Sequence, residues 1–173
     1  RYMTAAKYVK YITENGKGQQ NRYYDYLRMK AAAGYDMTDS IVLFPKDLAE
    51  SHARITLEIN EKKNKERMIK KNEEFPEIEQ SYQKLCRKYE YKKDGYIIRP
   101  ASSAAEIIRE GTALHHCVGA SDTYMSRHAK GTSYILLLRK VSAPDVPYCT
   151  VEIAGNRIKQ WYQAYDNKPD AIG

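Results

Sequence analysis

Residues 133–165, SYILLLRKVSAPDVPYCTVEIAGNRIKQWYQAY, decide the fold class of this chain. Three mainly apolar runs, at Ser133 to Arg139, Pro147 to Ile153 and Arg157 to Tyr165, predict three β-strands. A loop with two prolines separates the first two runs, and Gly155-Asn156 between the last two indicates a two-residue hairpin turn. The segment therefore predicts a three-stranded antiparallel sheet.

The predicted hairpin turn also predicts how the last two strands pair. Pairing counted outward from Gly155-Asn156 places Glu152 opposite Lys159 and Val151 opposite Gln160. Glu152 opposite Lys159 indicates either an ion pair on a solvated face or a carboxylate with a function. Both interpretations remain open from the sequence.

Two helices and a short strand are predicted just upstream of this sheet. Tyr96-Ile97-Ile98 is typical of a short strand, and Ser103 followed by Glu106 forms a capping-box pattern for a helix that extends through Arg109 and closes at Gly111. The next helix is predicted over residues 113–129, with Thr112 as its cap. Unpaired backbone amides at such a helix start, near Thr112 to His115, would form an anion site that Arg109 and Arg139 could supplement.

The upstream part of the chain has the spacing of helices. Apolar periodicity predicts helices over residues 2–12, 19–33, 46–74 and 76–89, and the far half of the third is polar on nearly every side. The composition changes near residue 93, from charged helical sequence to β-branched runs and tight turns. We therefore predict an α+β protein with a helical arm or bundle at residues 1–93. Residues 94–173 would form a small domain with a three-stranded antiparallel sheet and two helices.

Composition limits the classes of protein to which this chain can belong. The chain has 173 residues, 29 Lys and Arg against 22 Asp and Glu, and a net charge of +7. No apolar run approaches the length that spans a bilayer, and three cysteines without a CxxC pair argue against a disulfide framework or a zinc ribbon. We expect a cytoplasmic protein without a membrane span, and the start at Arg1 suggests part of a longer chain. Sixteen tyrosines could stack on bases or serve as core residues.

His115-His116-Cys117 is the densest group of chemically active side chains. The two imidazoles and the thiol can act as ligands, bases or nucleophiles near neutral pH. The spacing to His128 does not suit zinc, so no metal site is predicted. A Cys–His nucleophile would need a base from elsewhere, such as His128 or His52. The simpler alternative is that Cys117 is a small buried residue beside one core histidine.

The order of motifs along residues 95–170 resembles the PcfJ-like family. The resemblance is carried by ALHHCVG with its HCVG string, Tyr124, Lys130-Gly131, Leu138-Arg139-Lys140, PYCTVEI, Ile158-Lys159-Gln160 and Asn167-Lys168-Pro169. Proteins of this family occur on bacterial conjugative plasmids, integrative elements and phages. The family pattern maps onto His116, Cys117, Gly119, Tyr124, Arg139, Thr150, Glu152, Gln160 and Asn167.

The resemblance implies a mobile-element protein that binds or processes nucleic acid, without naming a reaction or a cofactor. The candidate catalytic residues are His116, Cys117, Tyr124, Arg139, Glu152 and Gln160. The candidate nucleic-acid contacts, to DNA or RNA, are Arg22, Arg28, Lys62, Lys63, Lys70 and Lys71. Two alternatives stay open. The chain could be a non-catalytic interaction module that binds proteins of a transfer apparatus, or a nucleotide-using transferase resembling an ADP-ribosyltransferase.

Overall fold

The computed structural model describes residues 3–15 and 17–168. Contacts between residues divide the chain into two compact units, Arg1–Glu66 and Arg67–Gly173. The predicted separation of a helical arm from an α+β domain near residue 93 stays a prediction. The start of the first predicted helix at Tyr2 and the last residue of the family pattern, Pro169, lie outside the described residues.

The first unit is helical. It contains α1 (Ala5–Asn15), α2 (Gln20–Ala32), the short α3 (Ser40–Leu43) and the first part of α4 (Leu48–Glu74). Its core uses tyrosine as an amphipathic residue: Tyr11, Tyr23 and Tyr26 are buried, and their hydroxyls donate to backbone carbonyls of residues 42–45. These tyrosines are therefore core residues rather than a base-stacking surface.

The second unit combines helices with one antiparallel sheet. Its elements in chain order are α5 (Pro76–Tyr89), β1 (Tyr91–Lys93), β2 (Tyr96–Pro100), α6 (Ala104–Leu114), α7 (Asp122–Ala129), β3 (Tyr134–Lys140), β4 (Cys149–Ala154) and β5 (Arg157–Tyr162). The strands pair in sequence order, so the sheet is a five-stranded meander. One of its faces packs apolar side chains against α5, α6 and α7. The α+β class is confirmed.

The prediction of a three-stranded sheet was wrong, because residues 91–162 of the described part of the chain form a sheet of five strands. Asp94 and Gly95 both have positive φ and form a tight hairpin turn between β1 and β2. β1 was not predicted, because its sequence, YKK, is charged rather than apolar. β1 is an exposed edge strand, and the two lysines in its three residues suit an edge that faces water.

The predicted helix over residues 113–129 was also wrong. α6 continues through Gly111 to Leu114 and ends at His115 in the left-handed conformation; a 3₁₀ turn at Cys117–Gly119 follows, and Ser121 caps α7. Gly111 lies within α6 rather than at its end, and its lack of a Cβ lets the helix pack closely against the 3₁₀ turn. Gly119 lies on the other side of this contact, where a Cβ would lie 2.7 Å from the carbonyl oxygen of Ile108 in α6.

The predicted anion site at Thr112 to His115 is excluded by the same finding. These residues form the last turn of α6, where the Thr112 hydroxyl donates to the Ile108 carbonyl and the His115 amide to the Gly111 carbonyl. The C-terminal end of a helix carries unpaired carbonyls rather than amides, and so does not attract anions. None of the helices in the described residues is long and apolar enough to cross a membrane.

Candidate active site

A small cleft in the second unit collects most of the predicted catalytic residues. It is lined by His116, Cys117, Val118, Tyr124, Ile135, Thr150, Glu152, Gln160, Tyr162 and Asp166. Its cavity volume is about 40 Å³, which is enough for a few water molecules or the reacting group of a larger ligand. The cleft lies where α7 and the 3₁₀ turn at Cys117–Gly119 meet β4 and β5.

Glu152 is the buried carboxylate of the cleft, with 3 % of its surface exposed. It accepts hydrogen bonds from Ser133 Oγ at 2.7 Å and from Gln160 Nε2 at 2.9 Å. Arg127 Nη1 and Lys159 Nζ lie 3.8 and 3.7 Å from its Oε1 atom. A buried carboxylate needs such compensation, and these four groups fix its position.

A β-bulge aims two side chains of β5 at Glu152. The strands pair as predicted next to the turn, but the register then shifts so that Glu152 lies opposite Gln160 and Val151 opposite Trp161. The predicted pairing of Glu152 with Lys159 was therefore wrong, because Lys159 is the extra residue of the bulge. A bulge places two residues against one, so both Lys159 and Gln160 reach the carboxylate.

His116 is held by a chain of hydrogen bonds that ends behind the cleft. Its Nε2 atom lies 3.0 Å from Thr150 Oγ1, and Thr150 Oγ1 donates to Glu110 Oε1 at 3.0 Å. Arg139 completes the chain with a two-pronged ion pair to Glu110, in which Nη1 lies 3.0 Å from Oε1. The chain therefore ties a cleft residue to a fully buried ion pair.

Burial lowers the pKa of His116 below its usual value, and the carboxylates of Glu110 and Asp166 oppose this shift without cancelling it. The imidazole is therefore neutral near pH 7. A neutral imidazole retains one nitrogen that can accept a proton.

Cys117 and Tyr124 face each other at the open side of the cleft. Cys117 Sγ lies 3.5 Å from the Tyr124 hydroxyl, which also accepts a 3.4 Å hydrogen bond from Gln160 Nε2. The hydrogen bond with Cys117 raises the pKa of Tyr124, and Gln160 acts in the opposite direction. The alternative that Cys117 is a buried core residue was wrong, because this cysteine is exposed.

Three residues of the family pattern, Gly119, Arg139 and Asn167, do not line the cleft. Arg139 is buried against Glu110, so its guanidinium is not free to bind a phosphate at the cleft. Asn167 is exposed and donates to the Ala164 carbonyl in the turn that follows β5. Of the histidines proposed as bases for Cys117, His128 is buried with Nδ1 accepting from the Ile135 amide, and His52 Nε2 contacts Asp25.

Backbone strain is concentrated beside the cleft. His115, Tyr165 and Asp166 all have positive φ, which side-chain-bearing residues rarely adopt. The rings of His115 and Tyr165 stack with centroids 4.6 Å apart, and Tyr165 remains 68 % exposed. Such strain is typical of functional sites, because the surrounding structure has to hold it in place.

A family model described as PcfJ-like protein matches residues 22–171. This chain belongs to the PcfJ-like family. The match confirms the resemblance and extends it upstream of Gly95 into the helical part of the chain. An uncharacterized protein of Listeria innocua is 21% identical over 150 residues, which cover 85% of this chain and 30% of that protein. The chain thus spans about a third of the length of this relative, and no solved structure gives a significant match.

The sequence interpretation of this PcfJ-like chain missed several residues of the site. Arg127, Ser133 and Asp166 had no distinguishing pattern around them. Glu110 had one: it lies three residues after Ile107 and four before Leu114, on the apolar stripe of α6, where an acidic residue is unexpected. In the described residues, no group of three or more His, Cys, Asp or Glu side chains is arranged to hold a metal ion.

The predicted nucleic-acid contacts of the PcfJ-like chain fall in both units. Four of them are exposed in the first unit, namely Arg22, Arg28, Lys62 and Lys63. One groove of this unit is bordered by Arg28, Lys62 and Lys63 together with the acidic residues Asp25, Glu58 and Glu66. Lys70 is exposed in the second unit. Lys71 is largely covered, since its ammonium group binds Glu74 and Asp122 at 2.7 and 2.6 Å.

Proposed function

We propose that this PcfJ-like chain binds and processes nucleic acid, and that the cleft of the second unit is its reacting centre. One observation carries the proposal: five of the six candidate catalytic residues, distant in sequence, line a single cleft. A packed domain does not need a neutral histidine, a thiol, a phenol and a buried carboxylate in one place. Groups that can exchange protons, gathered in a cleft, are the usual mark of catalysis.

The reaction class that suits the cleft is hydrolysis or transfer at a phosphodiester. His116 is neutral and acts as the general base toward the attacking oxygen. Arg127 and Lys159 are about half-exposed beside Glu152, so their cations can contact a phosphate while Glu152 keeps them in place. They take the phosphate-binding role that buried Arg139 cannot fill.

We expect His116→Gln to abolish processing of nucleic acid, whereas Glu79→Gln should retain it. General-base catalysis contributes on the order of 10²–10⁴-fold in rate, so the loss should be obvious on a gel. Glu79→Gln is the control, because Glu79 is exposed on α5 of the same unit and does not line the cleft. The measurement is incubation of single- and double-stranded DNA and RNA with each variant. Equal cleavage by wild type and His116→Gln would contradict the proposal.

Tyr165 supports nucleic acid as the ligand. One face of its ring is covered by His115, and its large exposure leaves the other face open to a nucleobase. Stacking on an aromatic ring stabilises a bound base by about 1–3 kcal/mol. We expect Tyr165→Ala to weaken binding of single-stranded oligonucleotides about 10-fold and Tyr165→Phe to preserve it, as measured by fluorescence anisotropy. The same affinity for both variants would exclude this contact.

The exposed basic residues are proposed to bind phosphates. Binding through Arg22, Arg28, Lys62, Lys63 or Lys70 should weaken steeply as salt increases, because bound counterions are released from the nucleic acid. A salt titration therefore belongs to the same experiment. The absence of binding at low salt would favour the alternative of an interaction module for proteins of a transfer apparatus.

A nucleotide-using transferase is the second candidate reaction. It is favoured by one observation, namely that the His116, Tyr124 and Glu152 side chains required by that alternative line the same cleft. In such an enzyme the histidine and tyrosine would hold a ribose and the carboxylate would stabilise positive charge that develops on it. Release of nicotinamide from NAD in the presence of nucleic acid, lost in Glu152→Gln, would distinguish this reaction from phosphodiester cleavage.

A further inference from the structure

The proton positions in the chain behind His116 follow from the donors that are available. Glu110 is 1 % exposed and receives both terminal nitrogens of Arg139, so its carboxylate can only accept. Thr150 is also buried, and its single hydroxyl proton is directed at Glu110 Oε1. The Thr150 oxygen is then free to accept one hydrogen bond, and His116 Nε2 lies 3.0 Å from it.

The opposite arrangement is unfavourable. If His116 were protonated at Nδ1, then Nε2 would be an acceptor and Thr150 would have to turn its proton away from Glu110. The buried carboxylate would lose one of its three donors, and burial makes every missing donor costly. The ion pair between Glu110 and Arg139 thus selects the form of a histidine that neither of these residues touches.

We infer that Glu110 and Thr150 are positioning residues that hold His116 as the neutral imidazole protonated at Nε2, with the lone pair on Nδ1. The inference rests on the proposed function for its consequence, which is that Nδ1 is the atom that accepts the proton during the reaction. Among the described residues, the other charged or titratable groups that share the cleft with this imidazole are Asp166, Glu152, Tyr124, Tyr162 and Cys117. None of them is hydrogen-bonded to Nε2 in place of Thr150.

The tautomer can be measured without any substrate. In the 15N-labelled chain, long-range 1H–15N correlation spectra distinguish protonated from unprotonated ring nitrogens for each of the four histidines. We expect His116 to be protonated at Nε2 at pH 7.5, Thr150→Val to change it to a mixture of tautomers, and Thr150→Ser to restore it. A wild-type His116 protonated at Nδ1, or a Thr150→Val spectrum identical to wild type, would overturn the inference.

His128 supplies an internal reference for these spectra. Its Nδ1 accepts from the Ile135 amide, so it should remain protonated at Nε2 in all three proteins. An unchanged His128 signal also shows that Thr150→Val is folded around α7 and β3. If that variant does not fold, Thr150→Ala and Thr150→Ser form the comparison, and serine alone should give the wild-type tautomer.

Activity then separates this inference from the proposed function. If nucleic acid is cleaved, Thr150→Val should lower kcat about 10-fold or more with KM nearly unchanged, and Thr150→Ser should recover it. An Nε2-protonated His116 in a chain that processes no nucleic acid would uphold the inference and contradict the proposed function. Cleavage by a chain whose His116 is protonated at Nδ1 would uphold the proposed function and contradict the inference.

Discussion

Arg139→Met should lower the free energy of unfolding of the second unit by about 3–5 kcal/mol, because it leaves the Glu110 carboxylate buried without its cation. Both side chains of the pair are almost completely buried, at 5 % and 1 % exposed. Among the described residues, the Thr150 hydroxyl remains as the only donor to Glu110, which is too little for a buried charge. The measurement is urea unfolding followed by fluorescence of Trp161, the single tryptophan of the chain, which lies in β5 of this unit.

Lys93→Met is the matched control for this substitution. Lys93 belongs to the same unit and pairs with Asp94 at 3.7 Å, but both side chains are well exposed, so the expected loss is below about 1 kcal/mol. The double variant Arg139→Met with Glu110→Leu should recover much of the lost stability, since it removes the unpaired charge as well. Equal effects of Arg139→Met and Lys93→Met would show that the ion pair does not stabilise the fold as described.

Local patterns predicted most helices and strands, and failed where tertiary contacts decide. The Gly155-Asn156 turn and the capping of α6 by Ser103 are short-range signals, and both occur in the structure. Gly111 also looked like a short-range signal, but its lack of a Cβ serves contact with Gly119 rather than the end of a helix. The sequence does not distinguish these two uses of glycine, because the contact depends on a turn eight residues away.

The candidate site was predicted as a set of residues but not as an arrangement. The family pattern named six of the residues that line the cleft, although it could not show that a bulge directs both Lys159 and Gln160 at Glu152. An extra residue in a strand changes every pairing beyond it, and no local sequence feature marks it. Arg139 was expected at the cleft for its charge, whereas the acidic residue that binds it, Glu110, comes from a different element.

The second large effect is expected in acid and comes from His128. Burial lowers the pKa of His128 from 6.5 to about 4. Its Nδ1 accepts from the Ile135 amide, and its Nε2 has no partner among the described residues. As the pH falls, His128 is protonated in the unfolded chain before it is protonated in the folded chain. Its contribution to the free energy of unfolding is therefore fully present above pH 6.5 and is lost as the pH falls toward 4. One such group contributes on the order of 3 kcal/mol over this interval. Urea unfolding at pH 7, 6, 5 and 4 measures it.

His128→Gln should flatten this pH dependence, whatever it does to stability at pH 7, because glutamine does not titrate. Lys93→Met is the control that should keep the slope, since it leaves all four histidines in place. Protonation of His116 in acid also lowers the free energy of unfolding, by a smaller amount, because burial lowers the pKa of His116 too. Carboxylates act at lower pH: burial alone would raise the pKa of Glu106, but hydrogen bonds from Arg99 and Ser102 lower it to about 2. A slope between pH 6.5 and 5 that survives in His128→Gln would show that His128 is not the source of the acid sensitivity.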